Sequence, residues 1–135
     1  MYYTEDGDEF KKFNARDGFG IRNLVKKGML VAFLSNGKND KLVARRAELL
    51  GVQKVYVGNE NKMIILSKWL KELKLSVKQV AYVGDDLNDT EVIKRVGFSA
   101  CPADALPQIK KSVNIILNAK GGDGCIRELI DNYFL

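Results

Sequence analysis

The chain reads as an α/β domain, a parallel sheet with helices on both faces. Two observations predict it. Short apolar runs alternate with longer segments whose apolar residues recur at helical spacing, the order expected of βαβ units. The runs also stop at turn signals: Met29–Leu34 ends at Ser35-Asn36-Gly37, and Val80–Val83 ends at Gly84. With 135 residues the expectation is a single domain, residues 1–135, long enough to bury a substantial core. Its hydrophobic share of 46% and charged share of 29% are ordinary for a globular protein.

The elements follow in order. Met1–Asn14 reads as a β-hairpin, with aromatic residues flanking Thr4-Glu5-Asp6-Gly7-Asp8 and its Asp-Gly turn signal. Asp17-Gly18 starts a helix to about Lys27, with Ile21, Leu24 and Val25 on one face and Gly28 as its stop. After strand Met29–Leu34, Asn39 and Asp40 cap a helix to Leu50, which Gly51 closes. Lys54–Val57 is a short strand. Asn61–Leu73 is a helix with Ile64, Ile65, Trp69 and Leu73 inward. Then come strand Val80–Val83, helix Asp89–Val96, strand Phe98–Cys101, helix Ala105–Lys110, strand Val113–Leu117, and helix Ile126–Tyr133 behind Gly121-Gly122-Asp123-Gly124. No internal repeat or low-complexity segment interrupts the pattern.

Gly84-Asp85-Asp86-Leu87-Asn88-Asp89 carries the most chemistry. The next helix begins near Asn88 or Asp89, so the carboxylates gather at the carboxyl end of a strand, where open α/β sheets place their ligand crevice. Two like charges about 6 Å apart repel by roughly 3 kcal/mol at an effective dielectric near 20. A bound hard cation removes that cost, and all-oxygen ligands suit Mg²⁺. A solvated acidic turn capping a helix accounts for the same residues. Ser35 and Asn36 at another strand end and Lys62 at a helix start add a hydroxyl, an amide and an ammonium, a set that suits a phosphate. Singly, each is also explained as a turn or a solvated lysine.

Composition removes several classes. With no histidine, acid–base chemistry must come from Asp, Glu, Lys, Tyr or Cys. Cys101 and Cys125 show no metal or redox spacing and read as reduced and structural, and Cys125 lies too close to Arg127 for a cysteine phosphatase loop. The net charge of +5 is spread over helix faces with no nucleic-acid motif, as on a solvated surface, and an anionic small substrate fits it equally. No apolar stretch is long enough for a membrane span. No signal peptide is visible, so the cytoplasm is expected.

Taken in order, these pieces resemble the haloacid-dehalogenase-like phosphatases, within them the 3-deoxy-octulosonate 8-phosphate phosphatase group and its sialic-acid-related relatives. The likeness covers nearly the whole chain: the Tyr2-Tyr3 hairpin, Phe13-Asn14-Ala15-Arg16-Asp17-Gly18-Phe19-Gly20-Ile21, Ser35, Lys62, the Gly84–Asp89 stretch and Gly121–Gly124 with Arg127-Glu128. It implies a Rossmann-like fold without a large cap domain and a Mg²⁺-dependent phosphatase of a phosphorylated keto-sugar acid, acting through an aspartyl-phosphate. It implies that Ser35 binds the phosphoryl group, that Lys62 neutralises charge, and that Asp85, Asp86 and Asp89 form the metal site, Asp85 ligating Mg²⁺ and the other two ordering its water shell. Asn36 belongs to the same phosphate-binding strand end, and Arg46 and Arg16 are candidates for the substrate carboxylate, with structural pairing as the alternative for each. A homotetramer is implied, in which a neighbour's hairpin and glycine-rich tail close the site.

Three departures accompany the likeness. The family's nucleophile and general acid lie in an Asp-x-Asp-Gly segment on a strand before the hairpin, and no such segment occurs at a strand end among the 135 residues. Gly37 beside Lys38 stands where an arginine or glutamate is usual, and Gly121-Gly122-Asp123-Gly124 replaces a frequent Gly-Gly-Arg-Gly. Because the absent strand lies mid-sheet in this fold, the natural product is expected to be longer, with Met1 internal. The competing expectation is a non-catalytic remnant or partner subunit that binds a phosphorylated ligand. A receiver-type signalling domain is disfavoured, since its acidic pair would lie near the first strand.

Overall fold

The computed structural model describes residues 2–6, 9–38 and 40–134. They gather into two compact units. One runs to Gly58 and resumes at Gly122, and the other spans Asn59–Gly121.

In the first unit β1 (Tyr2–Tyr3) pairs antiparallel with β2 (Glu9–Phe10), as the hairpin reading expects. Gly7 and Asp8 of the anticipated turn, and the anticipated cap Asn39, lie outside the described residues. Helix α1 covers Ala15–Lys26. It starts two residues before the expected Asp17 because Asn14, in extended backbone, accepts the backbone N–H groups of Arg16 and Asp17 on its Oδ1 at 2.9 and 3.4 Å. Gly28, at φ +91°, ends it: the N–H groups of Gly28 and Met29 return to the carbonyls of Val25 and Leu24, a Schellman closure that favours glycine.

β3 (Ala32–Asn36) and β4 (Lys54–Gly58) run parallel, with Ala32 opposite Lys54 and Asn36 opposite Gly58. β3 is therefore displaced from the expected Met29–Leu34. Met29 and Leu30 are 39% and 51% exposed, while Ser35 and Asn36 belong to the strand. The apolar run alone does not fix the strand; the five-residue ladder with β4 does. Helix α2 (Asp40–Leu50) connects the two, and α6 (Cys125–Tyr133) packs on α1. Ile21, Leu24, Leu50 and Ile130 form this unit's core, lined by Val31, Phe33, Val52 and Ile126.

The sequence gives no warning of how α6 is capped. Gly124 at its start has φ +98° and no side chain to offer, so Asp17 of α1 accepts the Arg127 N–H at 2.9 Å instead. A carboxylate there also meets the positive end of the helix. Asp17→Ala is expected to lower stability by about 1 kcal/mol, and Asp17→Asn, which keeps an acceptor, by much less. Thermal melts of the two variants check this, and equal losses would count against the cap.

The second unit holds α3 (Lys62–Leu73), β5 (Ala81–Val83), α4 (Thr90–Arg95), β6 (Phe98–Cys101), α5 (Pro107–Lys110) and β7 (Ile115–Ile116). Its sheet is parallel, in the order β5-β6-β7. On α3 the buried residues are Met63, Ile65, Leu66 and Leu70. Ile64, expected inward, is 63% exposed, because it shares a face with the exposed Ser67, Lys68 and Lys71. Ile93, Cys101, Ala105 and Ile109 form the core, with Tyr82, Leu106 and Val113 against it. Cys101 and Cys125 are both buried, and neither is in a disulfide.

Parallel strands linked through helices make this a Rossmann-like α/β fold. Among the described residues no helix is long and apolar enough to cross a membrane.

Candidate active site

β5 stops at Gly84, and the chain passes through Asp85 and Asp86 into a short 3₁₀ turn, Leu87–Asp89, before α4 begins at Thr90. The turn leads into α4 close to the expected helix start, with Asp89 at the N-cap position. It is capped by Asp86, whose Oδ1 accepts the Leu87 N–H at 2.6 Å.

Asp89 is no surface cap. It is only 2% exposed. A carboxylate so buried must be fully bonded. Its Oδ1 accepts the Lys62 ammonium at 2.7 Å and the Tyr82 hydroxyl at 2.5 Å. Its Oδ2 accepts the backbone N–H groups of Asp85 and Asp86 at 2.9 and 3.2 Å. Burial alone would push the Asp89 carboxyl up, but the bonds from Lys62, Tyr82 and the Asp86 backbone outweigh it and hold the group below the usual carboxylate range. Burial first, then the bond to Asp89 and the nearby carboxylates, push the Tyr82 phenol upward, so it serves as a donor. Among the described residues no buried side-chain polar atom lacks a partner.

Glycine at 84 permits this. A Cβ built there would lie 2.6 Å from the Asp89 Cβ and Cγ. Lys62, first residue of α3, is placed by Asn61, whose Oδ1 accepts the N–H groups of Met63 and Ile64 at 2.8 and 3.2 Å.

Asp85 differs from its neighbours. Its side chain is exposed, while its backbone carbonyl accepts the Leu106 N–H at 3.2 Å. Partial burial, then the charges of Asp89 and Asp86, raise its carboxyl above the ordinary value, with Lys62 pulling the other way. Its exposed carboxylate supplies oxygen donors, the kind a hard cation such as Mg²⁺ takes. Among the described residues no group of three His, Cys, Asp or Glu side chains is arranged to hold a metal ion. Asp89 is committed to Lys62, Tyr82 and two amides, Asp86 to Leu87, and Asp85 is the carboxylate left to face a cation.

The remaining anticipated residues lie in the first unit. The Ser35 hydroxyl donates to the Asn36 carbonyl at 3.2 Å, and Asn36 is exposed. Arg46 donates to the Asn14 carbonyl at 3.1 Å, lies over the Phe13 ring at 5.2 Å and occupies the space beside Gly18. These contacts tie it to the start of α1. Arg16 is exposed. Sequence reasoning missed Tyr82, which it read as a plain strand residue. An aromatic with a polar handle near the end of a strand that runs into carboxylates is the signal that could have found it.

Residues 35–129 match the haloacid dehalogenase-like hydrolase family, a stretch that includes Ser35, Arg46, Lys62, Asp85, Asp86 and Asp89. The 3-deoxy-D-manno-octulosonate 8-phosphate phosphatase of Salmonella typhi is 40% identical over 131 residues, 97% of this chain and 69% of its own length. A protein of Pseudomonas syringae described as a probable YrbI-family phosphatase superposes with a TM-score of 0.92 at 42% identity, covering 96% of this chain and 73% of that one. The 3-deoxy-D-manno-octulosonate 8-phosphate phosphatase of Moraxella catarrhalis, solved with a magnesium ion, a phosphate ion and a KDO molecule, superposes with a TM-score of 0.92 at 30% identity, over 97% of this chain and 75% of that one. On these likenesses, with a pinned lysine and carboxylates at the end of a parallel strand, the chain belongs to the haloacid dehalogenase-like hydrolases, in the group to which its 3-deoxy-octulosonate 8-phosphate phosphatase relatives belong.

Proposed function

We propose that the chain serves a Mg²⁺-dependent phosphatase of a phosphorylated keto-sugar acid, with 3-deoxy-D-manno-octulosonate 8-phosphate, the substrate named for its relatives, as first candidate and a nine-carbon 9-phosphate analogue as second. One observation carries the reading. A buried Asp89 holds an ammonium and the backbone of Asp85 on its two oxygens, fixing a phosphate-seeking cation and a cation-seeking carboxylate on one anchor.

In this reading Lys62 binds and offsets the phosphate charge, and the Ser35 hydroxyl with the Asn36 amide holds phosphoryl oxygens. Asp85 ligates Mg²⁺, with Asp86 and Asp89 behind it; the bound ion neutralises charge on the transferring phosphoryl group. Arg16 and Arg46 are assigned to the substrate carboxylate. The aspartyl-phosphate route needs a nucleophile from an Asp-x-Asp-Gly segment, which the 135 residues do not contain at a strand end. The second reading is a subunit that binds a phosphorylated ligand without turning it over. The protein is proposed to be cytoplasmic and to work as a homotetramer.

Phosphate release from both sugar acid phosphates, measured with Mg²⁺ for this chain and for a version extended upstream, tests the assignment. Turnover is expected in the extended form alone. Asp85→Ala should lower it by about 10²–10³-fold, the scale of a lost electrostatic contributor. Activity unaffected by Asp85→Ala would overturn the metal assignment, and no activity in either form would favour the binding subunit.

A further inference from the structure

Asp89 is the meeting point of four donors, two on each oxygen, which uses the full accepting capacity of a carboxylate. Three of the four are neutral. The two N–H groups come from the turn that carries Asp85, and the third is the Tyr82 phenol. Lys62 is the single charged donor, and it shares Oδ1 with Tyr82.

This division has a consequence for the lysine. Its ammonium is a compact charge on a flexible four-carbon stem, so it needs an anchor to point anywhere in particular. An anchor that absorbed the whole charge would leave little for an incoming anion, since an isolated carboxylate–ammonium contact in a buried setting is a tight pair. The phenol takes part of the Oδ1 electron density and weakens that pull without releasing the lysine. An ammonium carries three protons, and Asp89 receives one of them.

The phenol is itself firmly placed. Tyr82 stands in the middle of β5, opposite Ser99 of β6, and its side chain packs against the cluster of Ile93, Cys101, Ala105 and Ile109. Its hydroxyl reaches Asp89 from a wall of the core, whereas Lys62 reaches it from the first turn of α3.

We propose that Tyr82 is a positioning residue for Lys62, acting through Asp89, and that it keeps the ammonium aimed but not neutralised; this rests on the phosphate-binding role given to Lys62 above. Tyr82 touches neither metal nor phosphate in this scheme. Its effect is read entirely in how Lys62 behaves.

The test is Tyr82→Phe, which keeps the ring in its cluster and removes only the hydroxyl. Two readouts are used. The first is the nitrogen and proton resonance of the Lys62 ammonium, observable when pairing and its 10% side-chain exposure slow exchange with water. The second is calorimetric binding of orthovanadate in the presence of Mg²⁺. Tyr82→Phe is expected to move the Lys62 resonance and to weaken orthovanadate binding about tenfold, the scale of one redistributed charge-assisted bond. An unmoved resonance together with unchanged affinity would overturn the proposal. Incorporation of 3-fluorotyrosine is a second probe that leaves every ring in place. It makes the phenol a stronger donor, so the Lys62 resonance should move in the opposite sense, and a shift in the same sense as Tyr82→Phe would count against the proposal. Lys62→Gln, which keeps a donor for Asp89 but no charge, separates the two claims. Unchanged orthovanadate binding in that variant overturns the phosphate role of Lys62, and the positioning role with it, while the resonance still reports whether Tyr82 and Lys62 are linked.

Discussion

Lys62→Met is expected to cost about 3 kcal/mol of stability at pH 7, the scale of breaking a buried ion pair from one side. The loss comes less from the attraction removed than from the carboxylate left behind. Asp89 has 3% of its side chain exposed and keeps only neutral donors once the ammonium is gone. The loss should depend on pH, and its sign follows from the direction in which each form is displaced. In the parent protein the Asp89 carboxyl is held below its ordinary value of 3.8, so its contribution is present above that pH and is lost as pH falls through the lower folded value. In the variant burial prevails and the carboxyl is raised, so folding favours the protonated form and stability is lost as pH rises through the raised value. The difference between the two proteins therefore widens from about pH 4 to pH 7. Urea unfolding of both at the two ends of that range measures it. An equal difference at both would show that Asp89 is not the group responsible.

Much of this arrangement was legible in the chain, and the reason is local. The alternation of apolar runs and helical spacing, the hairpin, and the gathering of Asp85, Asp86 and Asp89 behind a strand are patterns within a few residues, and they appear in the folded protein where expected. What could not be read depends on partners distant in sequence. The ends of β3 are fixed by its ladder with β4, so Ser35 and Asn36 lie in the strand and not in a turn beyond it. Ile64 fits an inward pattern as well as Met63 does, but the packing of α3 against elements such as α4 takes Met63, Ile65, Leu66 and Leu70 and leaves Ile64 in solvent. Asp17 looks like the beginning of one helix and is the cap of another, 110 positions away. The three carboxylates looked alike in the sequence. Burial separates them: Asp89 is an internal anchor, Asp86 caps a turn, and Asp85 faces outward.

Gly84→Ala is the second large effect expected, about 2–3 kcal/mol, within the range for overpacking a well-filled site. The backbone of Gly84 is not among those with positive φ, so an alanine meets no conformational strain there and the whole cost must come from space. Its Cβ would sit 2.6 Å from the Asp89 Cβ and Cγ and 2.8 Å from Oδ2. Asp89 cannot simply swing aside, because Oδ2 is held by the Asp85 and Asp86 N–H groups and Oδ1 by Tyr82 and Lys62. Relief therefore requires the turn to move or the anchor to break, and either displaces Lys62 as well as Asp85. Gly28→Ala is the natural comparison, with the opposite balance: nothing lies within 4 Å of its Cβ, but φ is +91°, so its cost is backbone strain of about 1–2 kcal/mol. Thermal unfolding should show both losses. The Lys62 ammonium resonance should move in Gly84→Ala alone, because only that substitution reaches the Asp89 carboxylate. If Gly84→Ala leaves the resonance and the melting temperature near their parent values, the turn yields without disturbing its anchor, and the tight approach of Gly84 to Asp89 does not organise the site.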